Sequence, residues 1–179
     1  DYCEPRRDMM ALYALRQIAI SGKAGNADLE RLCRLALEWG HPELAPARLL
    51  NAWASAPEDV LTLNQLKLTA RWLAIRGRPD EGERRLRSAL QRMGGDPESP
   101  ALEVALCALL AGKVPAGAAA VEAEAGLEEP LDRLSRISLN SALPVPVRTE
   151  AARMLGTLLL PEARRMLLTP ARAAGLTKA

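Results

Sequence analysis

The amino-acid sequence predicts an all-α protein, on three observations. Half of the chain is apolar (49%), yet aromatics make up only 3% and Phe is absent, so Leu and Ala must do the packing, and that mixture favours helix over sheet. Apolar residues recur at spacings of three and four, and no segment alternates apolar and polar residues between turn signals. The stripes are separated by Gly- and Pro-bearing breaks: "SGKAGN", "GHPE", "APED", "GRPD", "GGDPESP", "GKVPAG" and "LPVPV".

Taken in order, the stripes and breaks predict a helix over 7–21 that ends at "SGK", and a second over 27–39 with Asn26 as its N-cap. Helices at 43–56 and 58–76 follow on either side of "APED". In the latter, Leu63, Leu66, Ala70, Leu73 and Ala74 form a stripe that stops at Gly77. Pro79 then suits the first turn of a helix over 80–93, where Gly82, Leu86, Ala89, Leu90 and Met93 share one face. The other face carries Arg84, Arg85, Arg87 and Arg92 with Asp80, Glu81 and Glu83, which reads as an outer face laced with short-range ion pairs. Further helices are predicted at 99–111, 115–125, 128–139, 146–159 and 161–168, the last opened by Pro161.

The helices repeat. Aligning "LTLNQLKLTARWLAIRGRPDEGERRLRSALQRMGGDP" with "ESPALEVALCALLAGKVPAGAAAVEAEAG" sets Gly77 over Gly112, Gly82 over Gly117 and Leu86 over Val121, a period of 35 residues. Residues 63–97 then resemble the tetratricopeptide repeat family at Leu66, Ala70, Leu73, Gly77, Gly82, Leu86, Ala89 and Pro97, although Leu66 and Leu73 stand where the family's signature has Trp and Tyr. The resemblance covers 63–125, and "LPVPVRTEAARMLGTLLLPEARRML" resembles a HEAT-type unit. It implies a right-handed superhelical solenoid of stacked antiparallel helical hairpins in one domain, 1–179, with irregular hairpins at 1–57, two repeats at 58–126 and capping or HEAT-like helices at 127–179.

The same resemblance implies a binding face. The first helix of each unit lines a concave surface, which assigns Asn64, Lys67 and Arg71 to a polar, basic stripe and Ser99, Leu102, Leu106 and Leu109 to its neighbour in the next unit. Such a pair of stripes suits a protein or peptide segment with both acidic and apolar side chains, and Arg71 could grip a carboxylate in bidentate fashion. The resemblance implies a non-enzymatic interaction scaffold, a subunit or domain of a bacterial assembly such as a secretion or exopolysaccharide system, and the Arg, Ala and Leu bias suggests a GC-rich genome. The alternative is a nucleic-acid-binding or regulatory helical domain using the Arg-rich helix 80–93. Against it stand the acids among those arginines, the lack of interleaved aromatics and a net charge of only +2.

Catalytic and metal chemistry find no foothold. His41 is alone in a loop, no Cys-x-x-Cys or Gly-x-Ser-x-Gly occurs, and "SGKAGN" and "AGKVPAG" lack the spacing of a phosphate loop. The carboxylates of "EAEAGLEEP" read as an acidic patch, and no cofactor is expected. Cys3, Cys33 and Cys107 are odd in number and far apart, so Cys33 and Cys107 are expected as small buried hydrophobes in a reducing, cytoplasmic setting. No run of 18 apolar residues is present, and the start at Asp1 is what a piece of a longer protein would show, with any signal or anchor outside it. The C-terminal "EARRMLLTPARAAGLTKA" is amphipathic enough to serve as a cap, a tail or a contact between copies of the chain.

Overall fold

A computed structural model describes residues 4–113 and 120–168, with side chains over 9–113 and 125–158. Among them are eight α-helices and no strand: α1 (Glu4–Ile20), α2 (Asn26–Glu38), α3 (Ala47–Ser55), α4 (Leu63–Ile75), α5 (Pro79–Arg92), α6 (Ser99–Lys113), α7 (Ala120–Leu139) and α8 (Val145–Leu168). None of them is long and apolar enough to cross a membrane.

Turn chemistry sets the boundaries. Helix α4 ends in a Schellman motif: the Gly77 N–H donates to the Ala74 carbonyl at 3.0 Å and the Arg78 N–H to the Leu73 carbonyl at 2.8 Å. Gly77 sits at φ 75, a conformation open to glycine and costly for a residue with a Cβ. The same arrangement closes α2, where the Gly40 N–H donates to Leu37 and the His41 N–H to Ala36.

Six of the predicted helices are corrected. The helix expected over 43–56 is a 3₁₀ turn (Pro42–Leu44) followed by α3, because Pro46 holds Ala45 extended at ψ 146. The helix expected over 58–76 likewise opens with a separate 3₁₀ turn (Glu58–Val60), and α4 starts only after Thr62. There a capping box forms: the Gln65 N–H donates to Thr62 Oγ1 at 3.3 Å, and the Thr62 N–H donates to Gln65 Oε1 at 3.1 Å. At the other end, the segments expected as 115–125 and 128–139 join into α7, which runs through Pro130. Residues 114–119, including Gly117, lie outside the described residues. The predicted break at Pro161 is also absent, so 146–159 and 161–168 are one helix, α8, and the two-helix HEAT-type unit read there does not form.

Residues 1–85 and 86–179 make two compact units, the boundary falling within α5 after Arg85. In the first, α1 packs on α2, and α4 packs on both α2 and α3. Its core joins Leu12, Leu15, Leu32, Cys33, Leu35, Leu37, Leu50, Leu68 and Trp72. Helix α4 is buried on two sides, through Leu68 and Trp72 on one and Leu66, Ala70 and Leu73 on the other. In the second unit α6, α7 and α8 pack on one another around Val104, Cys107, Leu134, Ile137 and Ala151.

The expected apolar face of α5 is realised, with Leu86 and Ala89 buried and Gly82 beside them in register. Leu86→Asp places a carboxylate in a site with no exposure and should cost several kcal/mol, about 4 or more, enough to abolish the cooperative thermal transition in circular dichroism. Thr69, also fully buried, has an Oγ1 without a hydrogen-bond partner. Replacing that hydroxyl by a methyl group removes an unmet polar group at constant shape, so Thr69→Val should raise the unfolding free energy by about 1 kcal/mol in a urea titration.

Candidate functional site

With α4 packed on two sides, one strip of it remains open to solvent. Asn64 and Arg71 are exposed on that strip, Lys67 is half-buried between them, and Ile75 ends it at 45% exposure. Lys67 and Arg71 are one helical turn apart, close enough to repel. Neither has an ion-pair partner among the described residues. At its C-terminal end the helix carries the Arg76 guanidinium stacked over the Trp72 ring, 5.7 Å from the centroid, and the indole N–H of Trp72 donates to Asn51 Oδ1 on α3 at 2.9 Å.

The neighbouring stripe is different. Ser99 is half-buried at the start of α6, but Leu102 and Leu106 are wholly buried and Leu109 nearly so, at 8%. The expectation that these leucines present an open apolar face is therefore corrected: they are buried, on the side of α6 opposite Val104 and Cys107, which meet α7 and α8. Of the seven residues singled out from the sequence, Asn64, Lys67, Arg71 and Ser99 reach solvent.

The Arg cluster of α5 is also only partly an outer face. Arg85 is turned inward with its side chain 14% exposed, and its guanidinium donates to the Ala54 carbonyl and, at 3.0 Å, to the Ala56 carbonyl at the C-terminal end of α3. It thereby satisfies acceptors that the helix end leaves open. Arg78 pairs with Glu81. Arg87 grips Glu129 of α7 through one nitrogen at 3.1 Å from each carboxylate oxygen, Arg133 Nε donates to the same carboxylate at 3.0 Å, and Arg133 reaches Glu103 of α6 at 3.8 Å. These two guanidinium groups hold the Glu129 carboxyl below the usual range, the Arg87 hydrogen bond being the main cause. Of the acidic patch around it, Glu122 and Glu124 have side chains outside the described residues, and Glu129 is engaged in this network.

No group of three or more potential metal ligands occurs among the described residues. His41 Nδ1 lies 3.1 Å from Glu43 Oε1 in an exposed loop. Glu43 is pulled below its ordinary pKa by its own backbone N–H first and by His41 second. Burial drives the Cys33 thiol up to about 12 and the Cys107 thiol up to about 11, which suppresses the nucleophilic thiolate in both. Cys3 lies outside the described residues. No protein-family model matches this chain, and no curated protein or solved structure matches it.

Two outcomes follow from these environments. The Glu129 pKa is lowered on folding, so its stabilising contribution is complete above the unfolded value and disappears as pH falls through the folded one. Acidification from roughly pH 5 to 3 should therefore cost the wild type more stability than Glu129→Gln, by less than about 1 kcal/mol because the pair is solvent-screened, in denaturation midpoints taken across that range. Cys33 and Cys107 should resist iodoacetamide in the native protein at neutral pH and react once it is denatured, as mapped by peptide mass spectrometry.

Proposed function

We propose that this chain is a non-enzymatic, helical-repeat interaction scaffold whose α4 strip receives an acidic segment of a partner protein. The observation that carries this reading is that two cations without ion-pair partners among the described residues share one solvent-open strip of a helix otherwise buried. Arg34, Arg78, Arg85, Arg87, Arg133 and Arg136 all have acidic or carbonyl partners. Lys67 and Arg71 share the open strip of a helix that is otherwise committed to packing, and have none among the described residues. Two like charges at this spacing cost a helix a few tenths of a kcal/mol, so folding gains nothing from them. A carboxylate laid along the strip would relieve the repulsion, with Asn64 adding an amide and Arg71 a bidentate grip.

Support for a repeat related to the tetratricopeptide family comes from 63–92. Leu66, Ala70, Leu73, Gly82, Leu86 and Ala89 are buried as that register requires, and Gly77 closes the turn. The 35-residue period weakens beyond. Gly112, aligned with Gly77, is still helical within α6, and α7 continues twelve residues past the point where a copy of α5 would end. A bacterial assembly is the setting that the resemblance implies. The nucleic-acid reading is less favoured, since Arg85 and Arg87 on α5 are held within the protein.

The test is affinity capture from lysate with three forms: wild type, the Lys67→Glu, Arg71→Glu double variant, and Arg34→Glu as a control at an exposed, paired arginine. All three should have the same circular dichroism spectrum. A partner held by wild type and control but bound at least about tenfold more weakly by the double variant, a loss of about 1.4 kcal/mol, is the expected result. Equal capture by all three would rule the strip out.

A further inference from the structure

We draw no further inference here: the strongest candidate, the exposed apolar stripe of Met10, Tyr13 and Ile18 along the outer face of α1, carries nothing because nothing in the structure shows what covers it.

Discussion

Much of the first unit depends on the burial of α4 from two sides. A surface helix needs one apolar stripe, and α4 has two, Leu66, Ala70 and Leu73 on one side and Leu68 and Trp72 on the other. The second is tied to α3 by the indole N–H of Trp72, which would be costly to bury unpaired and finds the Asn51 amide instead. The Arg85 guanidinium then caps the far end of α3, so that short helix is held near its middle by one polar contact and at its C-terminus by another. With two sides of α4 committed, its polar residues are confined to what is left, and Asn64, Lys67 and Arg71 fall into line for that reason.

How much of this could be read from the chain depended on the range of the interaction. Helix class and the Gly77 turn were legible because they rest on periodicity and on one residue's backbone freedom. Two helix starts were misplaced although their signals are local: Pro46 forces Ala45 to extend, and Thr62 with Gln65 three residues on forms the capping box. Pro161 misled in the opposite direction, and the break expected between 125 and 128 does not occur either. Proline removes one backbone donor and strains one turn, a cost that packing along the rest of a long helix can offset, and both α7 and α8 run through it.

The candidate site shows a different kind of limit. Periodicity identifies a helix face but not what lies opposite it, and an apolar face serves equally as a groove or as core. Leu102, Leu106 and Leu109 have the spacing of a binding ladder and are buried in the folded chain, while Val104 and Cys107 on the other side of α6 meet α7 and α8. Nor could spacing reveal that Arg87 reaches Glu129, 42 residues away. Asn64, Lys67 and Arg71 were legible because a polar strip on a helix with two apolar faces has solvent as its only low-energy environment.

Charge distribution completes the reasoning. With cations and anions nearly balanced, 24 against 22, several arginines find internal partners, some across helices as well as along them. Those contacts fix helix ends and tie α5, α6 and α7 together in the second unit, so they consume the charge that an Arg-rich helix would otherwise offer to a polyanion. A cation left out of such pairing keeps its full hydration in the free protein and adds little to stability. Lys67 and Arg71 sit in that position side by side, which is the arrangement that the proposed attraction to a carboxylate-bearing partner would use.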